Sequence, residues 1–146
     1  MQRGNRQGKT ASGDNNKLRT YNKFKTNFKM ENYLSCINDK NSRKFISKLR
    51  ISDHQLMIEK GRHTRPKMKI EDRICNRCDT NSIEDEFHYI MKCPQHTQAR
   101  IKLFDHITTI DKDFKAKGED DKLRYIMSNT DTLIYLATYI KESGIF

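Results

Sequence analysis

Four metal-ligating side chains, Cys75, Cys78, His88 and Cys93, stand at C-x2-C-x9-H-x4-C spacing. Two cysteines three positions apart fit on one tight turn and offer both sulfurs to a single ion. A histidine followed five residues later by a cysteine closes the other half of a tetrahedron from a helix and its C-terminal end. Thiolates and imidazole in a four-coordinate set suit Zn2+. With all four positions filled by protein, such a centre is structural and not catalytic. His96, three residues beyond Cys93, competes with His88 as the nitrogen ligand. The metal-free alternative is two buried thiols and a third beside a core histidine. Cys36 is left over, and a buried free thiol is its expected state.

Why a metal would help follows from composition. The chain has 146 residues, 34% hydrophobic and 33% charged, a thin supply of core for its length. The charge is uneven. Residues 1–70 carry eighteen Lys and Arg against five acids, so the whole excess of positive charge precedes the cysteine cluster. A basic half on a neutral half is what a nucleic-acid-binding arm looks like, with RNA or DNA as the partner. A solvated tail that only keeps the chain soluble is the plainer reading. No apolar signal segment opens the sequence, and no stretch approaches the roughly 18 apolar residues of a membrane span. An intracellular protein, nuclear or cytoplasmic and not secreted, with no membrane role, is expected. In that reducing setting a Cys-x2-Cys pair favours metal over disulfide.

Along the chain the pattern predicts a mainly α, small zinc-stabilised helical domain with a short metal-bearing turn or hairpin. Residues 1–25 are expected as a disordered basic arm and 26–146 as the domain. Tyr21, Phe24 and Phe28 alternate with Lys23, Lys25 and Lys29. Such interleaving can stack bases and pair phosphates, but the aromatics also read as one face of a helix running to Ile37. Asp39 or Asn41 caps a second helix with Phe45, Ile46 and Leu49 inward and Arg43, Lys44, Lys48 and Arg50 elsewhere on it, most of them expected to be exposed. Residues 51–58 read as a turn. Residues 59–69 form a basic loop in which Arg62, Arg65, Lys67 and Lys69 make the densest positive patch. Asn81 or Ser82 starts the helix that carries His88, with Glu84, Asp85 and Glu86 in its first turn, where the dipole favours acids. Pro94 begins the next helix, with Ile101, Phe104 and Ile107 inward. Glu119–Asp121 open another. Asn129 or Thr130 caps the last, whose stripe Leu133, Leu136, Ala137 and Ile140 ends at Gly144.

Enzymatic chemistry finds little support. There is no Gly-rich phosphate loop, and Cys-x2-Cys with His-x4-Cys is far more often a metal site than a nucleophile with its base. His54, His63 and His106 read as surface or loop residues. No small-molecule substrate is expected. Arg62, Arg65, Lys67, Lys69, Lys23, Lys25 and Lys29 are the candidate nucleic-acid contacts.

A longer run of residues then resembles a known family. It comprises Leu49-Arg50-Ile51-Ser52-Asp53-His54-Gln55-Leu56, Ile58-Glu59-Lys60-Gly61-Arg62-His63, Arg73-Ile74-Cys75-Asn76-Arg77-Cys78, Ile83-Glu84-Asp85-Glu86-Phe87-His88, Lys92-Cys93-Pro94 and Arg100. Together these resemble the cysteine-rich C-terminal tail of non-LTR retrotransposon reverse-transcriptase polyproteins, over about residues 45–108. The resemblance implies zinc at Cys75, Cys78, His88 and Cys93 and binding of element nucleic acid. The Tyr-x-Asp-Asp polymerase motif is missing, as is a recognisable endonuclease motif after Cys93. The resemblance therefore implies a detached tail, fragment or domesticated remnant without the parent's enzymatic activity. The competing expectation is a zinc-stabilised protein-interaction module that docks a partner on the Leu133–Ile140 stripe.

Overall fold

The computed structural model describes residues 17–27 and 29–145. They form a mainly helical body with no strand among the described residues. The helices are α1 (Tyr21–Phe24), α2 (Tyr33–Cys36), α3 (Lys40–Arg50), α4 (Met57–Lys60), α5 (Thr97–Ile110), α6 (Glu119–Ser128) and α7 (Thr130–Ser143), with short 3-10 or π turns between them. Among the described residues no helix is long and apolar enough to cross a membrane. Residues 1–16 of the expected arm, Phe28 and Phe146 lie outside the described residues.

Helix α7 is the hub. It packs on α3, α5, α6 and α2. Leu133, Leu136, Ala137 and Ile140 are all buried in one cluster with Ile46, Leu49, Ile107 and Ile126. The stripe proposed as a docking face is therefore core, and the partner-binding reading loses its surface. The helix ends follow local chemistry. Asp39 accepts Ser42 N–H at 2.8 Å to cap α3. Asn129 accepts Asp131 N–H at 2.9 Å to cap α7. Gly144, at φ 67°, takes the left-handed turn that stops α7.

Several expectations are corrected. The helix expected from Tyr21 to Ile37 is two four-residue turns separated by an irregular stretch. The cause is Arg50, one of the cations expected to be mostly exposed but itself 3% accessible. Its guanidinium lies 4.2 Å from the Phe24 ring and 5.3 Å from that of Tyr33, donates to Met127 O, and pairs with Glu31 at 3.1 Å. Drawing both rings and Glu31 onto one cation wraps the chain around it, which a straight helix cannot do. Residues 17–25, assigned to the arm, belong to the folded body: Thr20 and Phe24 are buried, and the side chain of Arg19 reaches Glu59 and Glu86. Cys36 and Ile101, expected inside, are exposed.

The acidic triplet before His88 is also more than a helix start. Asp85 caps the turn by accepting His88 N–H at 2.8 Å, as the dipole argument requires. Glu84 and Glu86 turn inward and are buried. Glu84 accepts Met57 N–H at 2.7 Å. Glu86 accepts from Ser52 Oγ at 2.6 Å, Thr20 Oγ1 at 2.9 Å, His54 Nε2 at 2.8 Å and Arg19 at 2.7 Å. His54, expected on the surface, is thus buried. Ser52 sits at φ 58°, where glycine is the usual occupant of a helix C-terminal turn, and its hydroxyl gives Glu86 a donor that glycine lacks. Burial alone would raise the Glu86 carboxyl. Hydrogen bonding from His54 and the charge of Arg19 overcome it and hold the group at about 2.

One buried cation fixes the basic loop. Arg73 donates from Nη1 to Ile58 O at 2.9 Å and from Nη2 to Met68 O at 2.8 Å. Its stem crosses Gly61 so closely that a Cβ there would lie 2.6 Å from Cγ and 2.7 Å from Cδ. Gly61 has ordinary helical angles, φ −64° and ψ −19°. On backbone grounds alone, Gly61→Ala should therefore stabilise, by about 0.4–1 kcal/mol. Because the Arg73 side chain is tethered at its far end, the clash decides the sign. Gly61→Ala is expected to destabilise by about 1–3 kcal/mol, measured as a lowered urea midpoint. A raised midpoint would show that Arg73 is free to move.

Candidate metal centre

Two pieces of chain build the centre. The first is a minimal hairpin in which Ile74 and Ile83 form one antiparallel rung. Cys75 N–H donates to Ser82 O at 2.8 Å and Glu84 N–H to Arg73 O at 3.0 Å, so Cys75 leaves a fixed rung and Cys78 lies in the loop it closes. Asn81 turns that loop back at φ 54°, in the left-handed region asparagine tolerates better than most residues. Of the turn or short hairpin expected here, the structure has the hairpin.

The second piece is the π turn His88–Lys92. One extra residue per turn changes the angle at which His88 leaves the helix, a device common at functional sites. Cys93 N–H closes it onto His88 O at 2.7 Å. Arg100 on α5 donates to Ile90 O at 2.8 Å and to Cys93 O, satisfying carbonyls at the end of the turn. Tyr139 on α7 donates to Tyr89 O. The turn is thereby fastened to the hub helix, and Pro94 starts a 3-10 turn that leads into α5, not α5 itself.

These pieces bring one ligand atom from each of Cys75, Cys78, His88 and Cys93 within 4.8 Å of one another. Cys75 Sγ and Cys93 Sγ are 4.0 Å apart, and Cys78 Sγ is 3.4 Å from His88 Nε2. A tetrahedral ion with metal–sulfur bonds of about 2.3 Å needs sulfurs about 3.8 Å apart, so the four atoms surround a space of the right size. His96 is not among them. It is buried, edge-on to Tyr89 at 5.2 Å and near Tyr139 at 6.3 Å. Between the two candidate histidines the geometry selects His88.

The electrostatics describe protonated thiols awaiting a cation. Burial pushes the Cys75 thiol up to about 12 and raises Cys93 as well. At Cys78 the same burial is outweighed by hydrogen bonds with Thr80 and the two other thiols, and its thiol falls below the ordinary value. Burial also lowers His88, which keeps the ring neutral and able to ligate. His96 is held neutral too, at about 4, by burial and then by the charges of Arg77 and Arg100. Cys75 Sγ lies 3.6 Å from Glu84 Oε1, and Arg77 Nε sits 3.4 Å from that same oxygen. Arg77 thus places positive charge beside a centre whose three thiolates would bring negative charge.

The candidate nucleic-acid residues divide by what they already touch. Arg65, Lys67, Lys69, Lys23 and Lys29 are exposed. Arg62 pairs with Glu59 at 3.2 Å, and Lys25 pairs with Glu31. Sequence reasoning missed Arg73 as the residue that ties the basic loop to the metal hairpin. Its place two residues before Cys75 is the one local hint. No protein-family model, characterised protein or solved structure matches the chain.

Proposed function

We propose that the chain is a nucleic-acid-binding module of low sequence specificity, held in shape by zinc at Cys75, Cys78, His88 and Cys93. Three soft thiolates and one imidazole are the donor set zinc takes in structural sites. The observation that carries the binding reading is the loop 61–69. It presents Arg65, Lys67 and Lys69 to solvent, and Arg73 fixes it to the hairpin that bears Cys75. Cations presented on a rigid loop need less ordering on binding than the same cations on a free tail. This reading agrees with the resemblance to a retrotransposon polyprotein tail, and it takes the chain as a piece or remnant of such a tail with no polymerase chemistry of its own.

Binding to short single-stranded RNA and DNA, followed at two salt concentrations, tests it. Each phosphate contact contributes about 0.7 to the salt slope on a single strand. Replacing Arg65, Lys67 and Lys69 together by Ala is expected to lower that slope by about 2 while helical content stays unchanged, since all three are exposed. An absence of binding even at low salt sinks the proposal. Elemental analysis of the purified chain checks the metal's identity.

A further inference from the structure

A second cationic feature lies beside the Cys75–Cys78 loop. A cleft of about 690 Å³ is lined by Arg77, Gln95, His96, Gln98, Lys102 and Glu142, among others. It opens where the 3-10 turn after Cys93 runs into α5, at that helix's first turn.

Three features there call for an anion. Helix α5 has fourteen residues and no acid in its first turn, although it runs on from the 3-10 turn, whose Pro94 O takes the Thr97 N–H. The His96 ring is buried, with 6% of the residue accessible, and has ring neighbours in Tyr89 and Tyr139. Neither of its nitrogens has a hydrogen bond among the described residues. The ring lines the cleft, so its N–H can donate to a ligand bound there. Arg77, held by the Cys75–Cys78 loop, uses Nε toward Glu84 and leaves its two Nη groups without hydrogen bonds among the described residues. Lys102 adds a second cation on α5; its ammonium lies 3.6 Å from Glu142, so the lining keeps one net positive charge.

We propose that this cleft is a phosphate-binding site at the N-terminal end of α5, with Arg77, His96 and Lys102 as its donors. A guanidinium fork with a helix N-terminus is a phosphate receptor. The cleft is much larger than one phosphate, and the Gln95 and Gln98 amides offer both donors and acceptors to whatever the phosphate carries, as a nucleotide unit of a strand requires. The inference rests on the nucleic-acid reading above and extends it: the strand touches the loop 61–69 and also a site on the α5 side of the metal hairpin. The metal then orders both contacts, because Cys75 follows Arg73 and Cys78 follows Arg77.

The test uses the full metal-loaded chain and a labelled single-stranded RNA of about ten nucleotides. Lys102→Ala, at an exposed position, and Arg77→Ala are each expected to weaken binding about tenfold, as loss of a charge-assisted hydrogen bond does. His96→Phe keeps the ring packing and is expected to weaken it less. Inorganic phosphate at millimolar concentration is expected to shift the backbone amide resonances of Gln98 and Ala99 in wild type and not in Arg77→Ala. If the Arg65/Lys67/Lys69 variant binds RNA more weakly while Lys102→Ala and Arg77→Ala bind as wild type, the cleft is overturned and the loop reading stands. If RNA never binds but phosphate moves the α5 amides, the phosphate site stands and its strand ligand falls. Silence in both arms overturns both.

Discussion

Removing the metal with a chelator, or replacing Cys78 by Ser, is expected to unfold residues 70–100 and to weaken the whole domain with them. Structural zinc contributes about 10 kcal/mol or more of folding-coupled binding energy in small domains, which is comparable to a domain's entire stability. The segment is not peripheral. Tyr89, Ile90 and Met91 belong to the same core cluster as Leu103, Ile126 and Tyr139, and Arg100 anchors α5 to the π turn. Loss of the turn therefore exposes part of the core. Circular dichroism should show a large fall in helical signal and a broad, non-cooperative melt. Proton accounting gives a second readout. Cys75 and Cys93 are held protonated by burial in the metal-free site, and each must give up its proton to ligate. Release of at least two protons makes apparent metal affinity rise by at least about 100-fold per pH unit near neutrality. Competition against a chelator at two pH values measures this. His88→Ala should reduce metal stoichiometry, and His96→Phe should leave it unchanged. A Cys78→Ser chain that keeps its native melt, or an affinity indifferent to pH, would falsify the metal-centred account.

What could be read from the sequence was what neighbouring residues decide among themselves. Ligand spacing lies within nineteen residues of chain, and the Asp39 and Asn129 caps, the Gly144 stop and the α7 stripe each depend on contacts a few positions apart. What escaped were charges that fold inward to meet partners far along the chain. Arg19 and Glu86 are 67 positions apart, and Arg50 reaches Met127 over 77. Composition places Arg and Glu on the surface by default, because burying an unpaired charge is costly. Nothing local announces which of them will find a partner. The Glu84–Glu86 run shows the limit well. Only Asp85 does what the helix-start rule says; its two neighbours close the metal hairpin and the His54 pocket. The arm boundary at residue 25 failed for the same reason, since Arg19 is held by acids that the local composition does not contain.

Glu86→Ala is expected to cost about 3–5 kcal/mol, the range for breaking a buried ion pair by removing one partner. Four donors lose an acceptor at once: Arg19, Thr20, Ser52 and His54. Arg19 keeps its contact with Glu59 at 3.0 Å, so its charge is not stranded, and that places the effect within this range and not above it. Glu86→Gln keeps the shape and removes the charge, which isolates the pH-dependent part. The sign follows from the direction of the shift. Glu86 titrates at about 2 in the folded chain, below its ordinary value of 4.5, so the folded state binds fewer protons than the unfolded one between those values. Its stabilisation is fully present above about pH 4.5 and is lost as the pH falls toward 2, a difference on the order of 3 kcal/mol. Acid would also expel a bound metal by protonating His88 and the thiols, and that loss would fall in the same region. The informative quantity is therefore the difference between wild type and Glu86→Gln at each pH, in which the metal contribution cancels. Urea midpoints should be well separated at pH 6 and draw together as the pH is lowered below about 4.5, over the range in which both chains still unfold cooperatively. Midpoints separated by the same amount throughout would mean that Glu86 acts through packing alone. Coincident midpoints at pH 6 would remove the carboxylate from any part in holding residues 19–20 and 52–54 to the metal-bearing turn.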